Sequence, residues 1–166
     1  MRRRTASLLL LAALAVLPAG AAAQSADDVY IMRHLEQQSG AGAGEDPGLS
    51  PAGKRQADRL ATWFRDRPRA VFASTTRRAM ETAGPLARRL GVPLETYDAA
   101  DPDRLLDRVR RTRGVVLIVG HSNTVPDLIR RMGAIGPREI PHTRYGQIWR
   151  VPRRGGVAME SVLPFP

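Results

Sequence analysis

Short, unbroken apolar runs alternate along this chain with segments whose apolar residues recur at helical spacing. Val29 to Glu36 (VYIMRHLE) turns abruptly polar at Arg33-His34, Ala70-Val71-Phe72-Ala73 runs into Ser74, and Val115 to His121 (VVLIVGH) ends on a second histidine. Runs of this kind are how strands buried on both faces of a parallel sheet read. Leu94 to Tyr97 predicts a further short strand. Between the runs, Ser50 as N-cap and Pro51 as first-turn proline open a helix with Ala57, Leu60, Ala61 and Phe64, predicted to reach about Arg67. A second helix is predicted from about Thr76 to Leu90, stopped by Gly91 and kinked or split by Pro85. Asp101-Pro102 opens a third, carrying Leu105, Leu106 and Val109, and Val125, Leu128, Ile129 and Met132 form a fourth stripe that Gly133 closes. Gln147 to Val151 and Val157 to Leu163 predict two closing strands, joined as a hairpin at Arg153-Arg154-Gly155-Gly156. This alternation predicts a three-layer α/β sandwich, its central sheet mainly parallel and flanked by helices. No internal repeat or second domain is visible.

The N-terminus changes the picture of where the chain works. MRRRTASLLLLAALAVLPAGAAAQ has a basic start, an apolar stretch from Leu8 to Leu17 and a small-residue end at Ala21-Ala22-Ala23. That is the pattern of a secretory signal peptide, residues 1–23, with cleavage expected after Ala23 and a single domain over 24–166. The apolar stretch is short of the roughly 20 residues that span a bilayer, so no stable membrane anchor is expected. The address implied is the periplasm or the exterior. The chain has no cysteine, and therefore no thiol or disulfide chemistry to manage there.

Charge narrows the partners less than it first suggests. The formal charge is +10, and of 26 basic residues Lys54 alone is a lysine. The arginines are spread over many segments and no nucleic-acid motif is recognisable, so nucleic acid is not expected as a partner. A phosphorylated small molecule or an envelope glycan suits the charge better. The sequence says nothing of oligomeric state.

In open α/β sheets, ligands lie just beyond the carboxyl ends of the strands. Arg33-His34-Leu35, Ser74-x-x-x-Arg78-Ala79 and Gly120-His121-Ser122-Asn123 each follow a predicted strand. With these three ordered motifs the chain resembles the histidine phosphatase superfamily, the phosphoglycerate mutase-like family, over roughly residues 28 to 151. The resemblance implies that His34 is a nucleophile carrying the phosphoryl group, and that His121 is the second imidazole, bonded to the phosphoryl oxygens. Guanidinium forks suit a phosphoryl group's dispersed charge, so Arg33 and Arg78 are the expected clamp. Ser122 or Asn123, entering the next helix, can add a phosphate contact. The family's usual glycine is replaced here by Leu35, which is expected to change the pocket's shape.

A leaving alkoxide needs a proton, and an Asp or Glu supplies it in this family. Asp98, at the end of the Leu94 to Tyr97 strand, is the first candidate and Asp101 the second, although Asp101 also reads as the N-cap before Pro102. Glu81 reads as a partner of its own segment and Glu36 as a loop carboxylate. Without a protein acid, leaving groups that depart unaided, such as phosphoramidates or aryl phosphates, would be favoured. Gln37 to Leu49 is either a lid over the site or a surface connection. The three histidines His34, His121 and His142 include no close-spaced ligand pair, and arginines would repel a cation, so no metal and no cofactor are expected. His142 reads as a loop residue. The function implied is an exported, metal-independent phosphatase acting through a phosphohistidine; the alternative is a catalytically weak phosphate- or phosphoglycan-binding protein of the same fold.

Overall fold

The computed structural model describes residues 27–40, 42–64 and 67–163; the expected signal peptide lies outside them. Six strands form one sheet in the order β3-β2-β4-β1-β6-β8, where β1 is Val29–Arg33, β2 Ala70–Ser74, β3 Leu94–Tyr97, β4 Val116–Gly120, β6 Gln147–Val151 and β8 Met159–Val162. The first four run parallel, while β6 and β8 are antiparallel additions on the β1 side. Helices cover both faces. Met32, Val71, Ala73, Leu117 and Val119 point into a core shared with α1 (Pro51–Trp63) and α2 (Arg77–Leu90). Their strand neighbours Ile31, Phe72, Val116 and Ile118 point into a second core shared with α3 (Pro102–Arg111) and α4 (Thr124–Arg131). Burial on both faces is why these strands read as continuous apolar runs rather than alternating ones.

Register sets the site. Arg33 pairs with Gly120, Ala73 with Val119 and Ser74 with Tyr97, so the four parallel strands end level with one another. The residues just past those ends, His34, Thr75, Asp98 and His121, therefore emerge along one edge of the sheet.

Three elements differ from expectation. Helix α1 stops at Trp63, short of Arg67, because Phe64 adopts extended backbone and sets its ring edge-on against Tyr30 at 4.8 Å. Pro85 does not split α2, whose buried Ala79, Thr82, Ala83, Leu86 and Ala87 hold the helix to the core on both sides of the proline. The closing hairpin is interrupted: Gly156–Val157 (β7) pairs in parallel with Ala134–Ile135 (β5), a strand too short to show a pattern, and Met159–Val162 alone pairs with β6. Gly155 and Gly156, both at positive φ, let the chain make that detour.

Candidate active site

His34 follows β1 and continues its ladder, its backbone N–H donating to Gly120 O at 2.9 Å. The side chain is buried, and Nδ1 lies 2.8 Å from the Leu35 carbonyl. A carbonyl can only accept, so Nδ1 carries the proton and Nε2 keeps its lone pair. Burial first, then the charges of Arg33 and Arg78, push this imidazole down to about 3, against the opposing Leu35 bond. The ring is neutral at ordinary pH.

His121 follows β4, and the two imidazole centroids are 5.4 Å apart. Its Nε2 lies 2.8 Å from Ser74 Oγ, at the end of β2. Burial, then Arg78 and Arg33, lower it to about 4, with Asp46 pulling the other way. Gly120 lets the chain reach this point, since a Cβ there would stand 2.7 Å from Thr124 Oγ1 and 2.9 Å from the Tyr97 hydroxyl. Thr124 Oγ1 in turn accepts from the His121 backbone N–H at 2.9 Å.

Two guanidinium groups flank the histidines. Arg33 is 5 % exposed, and its Nη1 donates to the carbonyls of Pro141, His142 and Arg144 at 3.1, 2.9 and 3.0 Å. Its Cζ sits 4.3 Å from the Tyr145 ring centre. Arg78, in the first turn of α2, gives Nη1 to Asp46 Oδ1 at 3.4 Å. In both residues Nε is buried and has no hydrogen-bond partner among the described residues. Each side chain is thus tied down at one end and keeps an N–H nearer its stem without a protein partner.

Arg77 plays no such part: its side chain is exposed and pairs with Glu81 at 2.7 Å. The turn after His34 is fixed by Thr82, whose Oγ1 accepts from Leu35 N at 3.0 Å and donates to Arg78 O at 2.8 Å. Leu35 itself corrects the expectation of a reshaped pocket. Its side chain is fully buried in the core beside α1 and α2 and does not line the site.

The carboxylate candidates are bonded to groups other than the histidines. Asp98 Oδ1 accepts from Ala100 N at 2.9 Å and Asp101 Oδ1 caps α3 through Arg104 N at 3.1 Å. Both border a cleft of about 340 Å³ that Thr75 shares. Among the described residues, no hydrogen bond or ion pair joins either to His34 or His121. Glu36 accepts from Ser50 Oγ at 2.6 Å, and Glu81 accepts from Leu49 N at 2.7 Å, in the local roles expected of them. Ser122 Oγ is 3.4 Å from His142 Nδ1, while exposed Asn123 precedes α4 without a capping bond from its side chain. The 37–49 loop is pinned at its base by the Gln37–Leu49 bridge and reaches α2 through Asp46, whose Oδ2 accepts from Arg77 N at 2.9 Å.

Two contributions escaped the sequence. The segment from Pro141 to Tyr145 builds the wall behind Arg33 through backbone carbonyls, and carbonyls leave no residue-type signal. Asp46 supplies the counter-charge to Arg78, and a lone loop aspartate carries no periodicity that would single it out.

With this geometry in place, a sequence profile described as the histidine phosphatase superfamily, branch 1, matches residues 29–101. Over that segment, under half of its length, the chain is similar to the histidine phosphatase superfamily. The solved structure of the protein histidine phosphatase SixA, complexed with tungstate, aligns with a TM-score of 0.60 at 20% identity, covering 75% of this chain and 87% of that one. Mycobacterial glucosyl-3-phosphoglycerate phosphatase in complex with inorganic phosphate aligns at 0.61 and 14% identity, covering 84% and 97%. At these identities the likeness is one of fold: the same central sheet flanked by helices, mostly parallel with antiparallel additions. No curated protein matches the chain by sequence.

Proposed function

We propose that this protein is a histidine phosphatase that hydrolyses a phosphomonoester or related phosphoryl bond through a phosphohistidine on His34. The observation that carries this reading is the pairing of a neutral His34, its Nε2 lone pair unused, with two guanidiniums whose buried Nε groups have no protein partner. The family-model match over residues 29–101 and the phosphatases that share the fold support it.

In the first step Nε2 forms a bond to phosphorus as the bond to the leaving oxygen breaks. Arg33 and Arg78 hold the equatorial oxygens and meet the charge that spreads over them, and His121 adds a further contact. In the second step water attacks phosphorus and gives up a proton, to solvent or to the carboxylate that protonated the leaving oxygen, as the P–N bond breaks and His34 regains its lone pair. Nothing in this sequence calls for a metal, and two guanidiniums beside the histidines oppose a cation.

Asp98 remains the proposed proton donor among the carboxylates, acting through a substrate that spans from the histidines to its cleft. The absence of a carboxylate bonded to either histidine, among the described residues, favours a second reading in which the leaving group departs unaided, as from a phosphoramidate or aryl phosphate. Asp98→Asn separates the two: loss of roughly a hundredfold or more on alkyl phosphates, with little loss on an aryl phosphate, is general-acid behaviour. Equal rates on both substrates before and after substitution discard Asp98. Turnover of p-nitrophenyl phosphate tests the reading as a whole. Phosphate binding without turnover indicates instead the binding protein of the same fold. Export, which the N-terminal pattern predicts, is tested by fractionating cells that express the full chain.

A further inference from the structure

At the end of the sheet away from the histidines, where β1 and β4 begin, exposed apolar side chains stand beside unpaired positive charge. Ile135 of β5 and Val157 of β7 are register partners in the two-strand ladder, and they are 72% and 64% exposed. One apolar side chain in water needs no explanation, but two side by side mark a surface that meets something. The ladder is pressed onto the end of α4, since a Cβ on Gly155 would stand 2.7 Å from the Gly133 carbonyl oxygen.

Arginines surround the pair. Arg153, in the turn before β7, donates to the carbonyls of Asp27, Val109, Thr112 and Gly114 at 2.5, 2.6, 2.7 and 3.0 Å, so it keeps its full charge and draws the turn onto the end of α3. With Arg110, Arg131 and Met132 it borders a cleft of about 220 Å³ lined also by Leu106 and Val109. The carboxylates of α3 and α4 are already committed, Asp107 to Arg110, and Asp103 and Asp127 to Arg131. Arg111, Arg113 and Arg154 are exposed, and their side chains have no hydrogen bond or ion pair among the described residues. Apolar side chains flanked by uncompensated arginines match a bilayer with anionic headgroups, which takes the first at its acyl boundary and the second on its phosphates. Single-stranded nucleic acid is matched less well, because none of the exposed large apolar side chains is an aromatic that could stack on a base. The N-terminal pattern, which predicts export, sets the chain beside such a bilayer.

We propose that this face docks the protein reversibly on an anionic phospholipid bilayer, with Ile135 and Val157 entering the headgroup boundary and the unpaired arginines on the phosphates. His34 and His121 lie past the opposite ends of β1 and β4, roughly 17 Å away along a five-residue strand, so the docked protein turns its site to solvent. The inference is independent of the phosphatase reading. The full chain has no cysteine, so Val157→Cys takes a single environment-sensitive nitrobenzoxadiazole dye, and Asp58→Cys, exposed on α1, carries the same dye on another face as the reference. Both are titrated with phosphatidylcholine vesicles, with and without phosphatidylglycerol. Comparing two positions in one chain sets aside any binding by the N-terminal apolar stretch. The dye at 157 is expected to brighten and shift to the blue on phosphatidylglycerol vesicles, reversibly with added salt, while the dye at 58 is not. Arg113→Glu combined with Arg154→Glu is expected to raise the lipid concentration at half-response by about tenfold or more. No response at 157 with either vesicle overturns the proposal and leaves the face to a protein partner. Equal responses at 157 and 58, equal responses to the two vesicle compositions, or a half-response that the double substitution does not move in folded protein overturn it as well.

Discussion

The two sides of the site hold their arginines by different means. Behind Arg33, three backbone carbonyls of the 141–144 segment and the Tyr145 ring fix a buried guanidinium. Beside Arg78, one carboxylate on a loop does the work, and the Asp46 side chain is 52% exposed. Carbonyl dipoles in a buried setting are insensitive to salt and cannot be titrated away, whereas an exposed ion pair is weakened by both. One wall is permanent. The other is adjustable, and it is carried by the 37–49 loop, which joins α2 through Asp46.

The largest expected effects break the two sides separately. Arg33→Ala removes a proposed phosphate donor and strands three carbonyls, so kcat/KM should fall by roughly a hundredfold to a thousandfold and stability by about 1–3 kcal/mol. Arg78→Ala should cost kcat/KM to a similar degree while leaving the melting temperature nearly unchanged, because its protein partner is solvated. Kinetics with paired thermal melts check both; equal destabilisation by the two substitutions would erase the distinction drawn here.

An intermediate effect follows from the histidines. Both folded-state values, about 3 for His34 and about 4 for His121, lie below the ordinary 6.5. As pH falls below about 6.5 the unfolded chain takes up protons that the folded chain refuses, so folding stability drops with falling pH until the folded values are reached. Melting temperatures between pH 7 and pH 4 should therefore decline, and His34→Gln should decline less steeply. A variant as steep as the wild type would show that His34 is not held neutral by the fold.

The smallest effects sharpen the adjustable side. Asp46→Asn should change kcat/KM by no more than about fivefold, the worth of a solvated ion pair, and should reduce the salt dependence of KM. Arg77→Ala, which removes an exposed partner of Glu81 and no group of the site, should do less still. Should Arg77 prove more sensitive than Arg78 in steady-state kinetics, the clamp belongs one residue earlier.

Strand ends were legible because burial on both faces leaves unbroken apolar runs, and the first polar residue after each run marks where the chain leaves the core. That logic located Arg33, His34, Ser74 and His121, and the helical stripes located four helices to within a few residues. It failed where structure does not depend on side-chain type. The carbonyls behind Arg33 are backbone, β5 is two residues long, and Phe64 ends a helix early through packing against Tyr30 that periodicity does not encode. Leu35 misleads because a substitution beside His34 invites a pocket explanation, while the side chain turns into the core.

The central claim, that His34 Nε2 attacks phosphorus, is tested most directly by rapid-quench trapping with a labelled aryl phosphate. The account predicts label that is lost in acid and kept in base, mapping to the peptide containing His34 and absent from His34→Ala. Label of equal yield in His34→Ala, or turnover by the wild type with no trapped phosphohistidine at any quench time, would contradict it.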